Sequence, residues 1–307
     1  MEIQWFPGHM AHAKEVVSKN LMLVDAVIEV LDARIPLSSK NPDIDKILKQ
    51  KPKIIVFNKA DLADEKVSME WSKWYKARNC KIVFVDSIRG KGINSLKLML
   101  KEITKDKIEK EKRKGKVFRP IRTMAVGIPN VGKSSLINII AGKSKAATED
   151  KPGTTMQKQW IRLGDGIEIL DTPGILWPKF SDREVGINLA ITGAIKDSIF
   201  DNIEVAARLM AKLNRTYPEF IKSRYKLDIN TAGSSNIINN YGNKTVNILS
   251  DNSDIELKEG LLLLEEAGAK RGCLASGGVV DLNRVAAVVL DEFRGGKIGK
   301  ISLEGPK

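Results

Sequence analysis

Apolar positions in the first half of the chain gather in short unbroken runs rather than at helical spacing. The runs 26–31, 53–57 and 81–85 are dominated by Val, Ile, Leu and Phe, and each closes on a polar cluster. Strands buried on both faces of a parallel sheet need this composition. Helix-compatible stretches, 68–77 among them, lie between the runs, and a further one covers 92–103. Residues 105–122 are rich in Lys and Arg, and Gly115 and Pro120 break any regular helix, so this segment reads as a solvated connector or an RNA-contacting strip. A strand over 123–127, a helix over 134–141 and strands over 160–163 and 167–170 follow, the last two separated by the turn Gly164-Asp165-Gly166.

This alternation predicts an α/β, doubly wound, mostly parallel sheet of six strands. From about residue 181 the strand signal fades, and helical patterning takes over, as in 203–210 and 285–290. The expected division is a nucleotide-binding domain over 1–178 and a mostly helical domain over 179–307. The latter carries an insertion at about 228–255, rich in Asn, Ser and Gly, that reads as a surface loop or a poorly ordered segment.

The chain has 307 residues, enough for two domains. Its 51 Lys and Arg against 38 Asp and Glu give a formal charge of +13, which attracts polyanions: RNA, DNA or an anionic membrane surface. Cys80 and Cys273 are the only cysteines, so no disulfide framework or zinc site is expected. Residues 1–9 lack a cationic stretch followed by an apolar core, and the run 21–31 is interrupted by Asp25 and Glu29. No amphipathic anchor or lipidation motif supports a membrane role. The expectation is a cytoplasmic monomer that does not engage membranes.

The loop Gly127-Ile128-Pro129-Asn130-Val131-Gly132-Lys133-Ser134 sits between a predicted strand and a predicted helix. Backbone N–H groups of such a loop wrap phosphates, including those of Val131, Gly132 and Ser135, and the helix N-terminus adds positive character. Lys133 is placed to reach the β- and γ-phosphates and the Ser134 hydroxyl to bind Mg²⁺. Asp171-Thr172-Pro173-Gly174 closes a predicted strand, so Asp171 is a candidate for the Mg²⁺ hydration shell and the Gly174 N–H for sensing a γ-phosphate. Within Pro152-Gly153-Thr154-Thr155 one hydroxyl should complete Mg²⁺ coordination; comparison with related patterns favours Thr155, with Thr154 the other choice. Asn58-Lys59-Ala60-Asp61 follows a buried strand. The Asp61 carboxylate can accept from guanine N1–H and N2–H, donors that adenine does not offer, and the Lys59 stem can lie against the base. Ser87 and the backbone of Ile88 are placed to support it. These motifs together imply GTP and GDP as the nucleotides.

The guanine motif here precedes the phosphate loop, the reverse of the usual order. This order resembles the circularly permuted GTPases. Trp5-Phe6-Pro7-Gly8-His9-Met10, Asp32-Ala33-Arg34-Ile35-Pro36 and Lys270-Arg271-Gly272-Cys273 resemble the ribosome biogenesis GTPase A (YlqF/RbgA) branch, outside the Asn-rich insertion. The resemblance implies a circularly permuted P-loop GTPase fold followed by a small helical domain. It also implies a role in late assembly of the large ribosomal subunit, with the GTP form docked on the precursor and on rRNA and hydrolysis releasing it. The alternative is a nucleotide-gated RNA-binding module with negligible hydrolysis.

Where many GTPases carry a Gln that orients water, this chain has Ile175. The resemblance puts His9 near the γ-phosphate, where an imidazole can orient water or take its proton; the other reading is that His9 anchors the terminus or touches rRNA. In several GTPases with an apolar residue at the Gln position, an Asn placed like Asn130 helps bind K⁺; the alternative is that Asn130 only shapes the loop. Arg271, Arg284, Arg294, Lys297 and Lys300 are the candidate rRNA phosphate contacts, and aromatics for base stacking are scarce around them.

Overall fold

The computed structural model describes residues 15–48, 51–115, 119–142, 160–170, 182–227 and 255–306. His9, Thr154, Thr155, Asp171, Gly174, Ile175 and the insertion over 228–254 lie outside them. The chain forms two compact units: the part up to Val185 together with the tail from Ser302, and Gly186–Ile301.

The first unit begins with helical residues 15–21 (α1), followed by β1 (Ala26–Asp32), α2 (Pro42–Leu48), β2 (Lys53–Asn58), α3 (Glu65–Lys76), β3 (Lys81–Val85) and α4 (Ile93–Arg113). It continues through β4 (Ile121–Val126), α5 (Lys133–Ala141), β5 (Trp160–Arg162) and β6 (Ile167–Leu170). The six strands form one sheet in the order β3-β2-β1-β4-β6-β5, parallel throughout except where β5 pairs with β6. Every residue of β1 is buried, which explains its unbroken apolar run. Val27 packs with Val17 of α1, with Ile44 and Leu48 of α2 and with Met124 of β4, while Leu31 packs with Phe57, Trp71 and Tyr75 under α3. Glu29 lies fully buried between these clusters, and the Lys53 ammonium 2.7 Å away on the neighbouring strand compensates its charge.

The segment read as a solvated connector is largely structured. α4 runs to Arg113, well beyond residue 103, and Lys107 and Arg119 both pair with the buried carboxylate of Asp25 at the start of β1. Asp25 also accepts from the Arg122 N–H (2.9 Å), so one carboxylate ties the end of α4 and the entry to β4 to the sheet. Burial alone would raise the Asp25 pKa, but hydrogen bonds from Arg119 and Lys107 outweigh it and hold the carboxyl well below the usual carboxylate range. A depressed native pKa contributes stability that is complete above the unfolded value, about 4, and shrinks as the pH falls below it. Asp25→Asn is therefore expected to cost about 3 kcal/mol near neutral pH, because it strands two cations around a buried site. Urea unfolding measured against pH checks this, and the gap between the two proteins should close in acid.

The C-terminal tail joins the first unit although sequence reading grouped it with the helical domain. Glu304 accepts from the Leu37 N–H (2.7 Å) and from Ser38, its backbone carbonyl accepts from Trp71 Nε1 (3.1 Å), and the Leu303 N–H donates to the Arg34 carbonyl (2.9 Å). These bonds satisfy the turn that follows β1, whose partners no local pattern reveals.

The second unit consists of α6 (Arg183–Ile191, which starts in the first), α7 (Asn202–Thr216), α8 (Pro218–Tyr225), α9 (Ile255–Lys270) and α10 (Leu282–Arg294). Helix α7 is its centre and packs against α8, α9 and α10. Asp201 and Asp281 cap α7 and α10, accepting N–H groups of the first turn.

Candidate guanine nucleotide site

The in-register pairing Asp32↔Asn58↔Val85 brings the carboxyl ends of β1, β2 and β3 to one edge of the sheet, and β4 ends beside them. Ligands of open α/β sheets bind at such an edge. The strand order therefore gathers the turn after β1, the guanine motif after β2, the base-support turn after β3 and the phosphate loop after β4, although they are scattered in sequence.

The loop between β4 and α5 turns through left-handed backbone at Asn130 (φ 58°) and Gly132 (φ 90°). A side chain at Gly132 would collide with the Asn58 amide, and one at Gly127 (φ 156°) with the Val30 carbonyl oxygen. Gly127 lets backbone approach backbone and Gly132 lets the Asn58 side chain close on the loop, which shapes the cradle. Lys133 is buried at the N-terminus of α5, and its ammonium donates to the carbonyls of Ile128 (2.7 Å) and Gly127 (3.2 Å). Ser134 and Ser135 follow in the first helical turn, both half-buried.

Asn58 and Lys59, read from sequence as base-contacting, also brace this loop. Asn58 Nδ2 donates to the Val131 carbonyl (2.8 Å), and its buried Oδ1 accepts no hydrogen bond from the described residues. Lys59, with φ 58°, donates from Nζ to the Asn130 carbonyl (2.8 Å) and pairs with Asp32 (3.0 Å). Asp32 is buried and also grips Arg34 through both carboxylate oxygens. Burial opposes its ionisation, but the charges of Arg34 and Lys59 hold its carboxyl below the usual range. Asp32 is thus an anchor for Lys59, a role the sequence signalled only through the Asp32-Ala33-Arg34-Ile35-Pro36 string.

Asp61 faces Arg89, whose Nη1 lies 3.3 Å from Oδ2, and the same guanidinium reaches Asp86 at 3.1 Å. Asp86 shapes the turn after β3 by accepting from the N–H groups of Ile88 (2.9 Å) and Arg89 (3.0 Å), which leaves Ser87 buried and Ile88 exposed. Sequence reading missed Asp86. An Asp two residues before the exposed position of a post-strand turn is the signal that marks it. The Ala60 N–H donates to the Val85 carbonyl (3.1 Å), fixing the guanine motif to this turn.

The arrangement suits a guanine nucleotide: a glycine-shaped cradle with a lysine across it at one end, and a carboxylate over a backbone-rich turn at the other. Among the described residues no group of three or more His, Cys, Asp or Glu could hold a metal ion.

A family model described as "50S ribosome-binding GTPase" matches residues 122–228. A Bacillus cereus protein named ribosome biogenesis GTPase A is 43% identical over 308 aligned positions, covering 100% of this chain and 95% of its own length. The Thermotoga maritima protein of that name is 28% identical over 99% of this chain and 95% of its own. The solved structure of GNP-bound YlqF from T. maritima superposes with a TM-score of 0.61 at 25% identity, covering 96% of this chain and 99% of that one. The reversed motif order, the six-stranded sheet and the end-to-end identity agree: this chain is a GTP hydrolase and belongs to the ribosome biogenesis GTPase A family.

Proposed function

We propose that the chain acts in late assembly of the large ribosomal subunit, docking on the precursor particle and its rRNA in the GTP form and leaving after hydrolysis. The observation that carries this is the identity to ribosome biogenesis GTPase A proteins over the whole chain, helical unit included. It works as a monomer in the cytoplasm and without a membrane; no helix among the described residues is long and apolar enough to cross one.

The reaction is attack of water on the γ-phosphate of GTP, giving GDP and phosphate. Asp61 accepts the guanine N–H donors, Ser87 and Ile88 support the base, and Asn58 and Lys59 hold the phosphate loop open. Lys133 exchanges its two loop carbonyls for β- and γ-phosphate oxygens, and the N–H groups of Val131 through Ser135 take up the remaining phosphate charge. Ser134, Thr155 and, through water, Asp171 would hold Mg²⁺, which when bound would neutralise charge on the phosphate oxygens. The Gly174 N–H senses the γ-phosphate. His9 orients the water in place of the absent Gln. Asn130, held in left-handed backbone by the loop, would help hold K⁺, which would neutralise charge developing at the phosphates.

Sedimentation with large-subunit precursors tests this reading. Binding is expected with GTP or a non-hydrolysable analogue and loss of binding with GDP, with single-turnover hydrolysis accelerated by the particle and faster in K⁺ than in Na⁺. Equal sedimentation in both nucleotide states would overturn the switch, and equal rates in the two salts would remove K⁺.

A further inference from the structure

Consecutive residues of the returning tail grip the turn after β1 and the start of α3. Ser302 Oγ accepts the Asp64 N–H (3.2 Å), just beyond the guanine motif, and the Leu303 N–H donates to the Arg34 carbonyl (2.9 Å), just beyond Asp32. The Glu304 carboxylate then takes the N–H groups of Leu37 (2.7 Å) and Ser38 (3.1 Å) and the Ser38 hydroxyl. A carboxylate on backbone N–H groups makes stronger bonds than a neutral acceptor would. The turn it holds is buried at Asp32, Arg34, Ile35, Ser38 and Ser39. Its own bonds form a closed set. The Asp32 N–H donates to Ser39 Oγ (3.1 Å), the Ser39 hydroxyl donates to the Ile35 carbonyl (2.7 Å), and the Ile35 N–H returns to the Asp32 carbonyl (3.0 Å).

This turn fixes a residue of the nucleotide site. Asp32 lies 3.0 Å from Lys59 Nζ, and Lys59 donates to the Asn130 carbonyl of the phosphate loop (2.8 Å). Lys59 also holds left-handed backbone, φ 58°, a conformation that a residue with a Cβ keeps only where its surroundings impose it. The path from the tail to the loop therefore runs from Glu304 to Ser38, through the chain to Ser39, from Ser39 to Asp32 and from Asp32 to Lys59. We propose that Glu304 is a positioning residue for the guanine nucleotide: it holds the turn after β1 so that Asp32 keeps Lys59 against the base and the phosphate loop, and thereby sets how long the nucleotide stays bound. This rests on the placing of Lys59 at the nucleotide proposed above. The path contains no group assigned to the γ-phosphate, so the effect falls on binding rather than on the hydrolytic step.

Release of a fluorescent GDP from the full chain, measured beside single-turnover hydrolysis of GTP at saturation, tests this. Glu304→Ala loses charge-assisted hydrogen bonds and should speed release and raise KM about tenfold, with the single-turnover rate changed less than about twofold. Glu304→Gln keeps an acceptor for the N–H groups, and the Ser38 hydroxyl can turn to accept from the new amide, so release should return to within about threefold of the wild type. Ser39→Ala breaks a later link on the same path. It should speed release like Glu304→Ala, and the two substitutions together should do little more than either alone. Leu100→Ala, in the buried face of α4, lowers the urea midpoint but takes no part in these bonds, and its release rate should stay within about twofold of the wild type. Release that tracks the urea midpoint across all these variants overturns the proposal, because Glu304 is then a fold-stabilising contact only. So does full additivity of Glu304→Ala with Ser39→Ala. If Lys59→Ala speeds release and Glu304→Ala does not, the path from the tail alone is wrong; if neither changes release, the placing of Lys59 at the nucleotide falls with it.

Discussion

Lys133→Ala is expected to weaken GTP binding about a thousandfold, read by titration calorimetry or by displacement of a fluorescent guanine nucleotide. The ammonium is buried at the start of α5 and donates to the carbonyls of Ile128 and Gly127, neutral acceptors that exchange readily for phosphate oxygens. Removing one member of a buried, charge-assisted pair costs about 4 kcal/mol, because the triphosphate is then left without its closest cation in a site shielded from water. Without nucleotide the same substitution removes hydrogen bonds to neutral loop carbonyls. The urea midpoint of the free protein should therefore move little, which separates a ligand-binding defect from misfolding. GTP affinity within tenfold of the wild type would sink the assignment of this loop to the phosphates.

The strands were legible because burial on both faces leaves no room for polar alternation. The runs at 26–31, 53–57 and 81–85 appear as β1, β2 and β3 with ends within a residue or so of those read. Helix ends were less legible. α3 starts at Glu65 rather than 68 because Asp64 caps it, accepting from the N–H groups of Lys66 and Val67. α4 continues past 103 because Lys107 pairs with Asp25, 82 positions away, and Glu111 accepts from Arg119 beyond the helix, contacts that a helical window does not contain. The same limit applies at the site. Motif residues could be named from sequence, but Asn58 and Lys59 find their partners in backbone carbonyls of Val131 and Asn130, which carry no side-chain signature. Asp32 and Glu304 reach Lys59 and the turn after β1 through strand order and the return of the tail, so those contacts become visible only once the sheet is assembled, whereas Asp86 acts locally on the N–H groups two and three residues on.

Asp61→Asn is expected to lower GTP affinity by about a thousandfold and to collapse the preference for GTP over ATP. Guanine offers two adjacent donors, N1–H and N2–H, and a carboxylate accepts both. An amide offers one acceptor and one donor, so a donor is forced against a donor in a site built for pairing, and sites of this kind discriminate by about 10⁴. Arg89 does not rescue the variant. It lies 3.3 Å from Asp61 and 3.1 Å from Asp86, so losing the first carboxylate leaves it paired with the second rather than free to contact the base. Xanthosine triphosphate carries a carbonyl where guanine has its amino group. It should bind the variant better than GTP does, because the new amide donor then meets an acceptor. Competition among GTP, ATP and xanthosine triphosphate on wild type and variant measures all three terms, and an undiminished preference for GTP over ATP would remove Asp61 from the base. Lys133→Ala gives the opposite pattern. It acts on phosphates common to every nucleotide, so it should weaken all three about equally and leave their order unchanged.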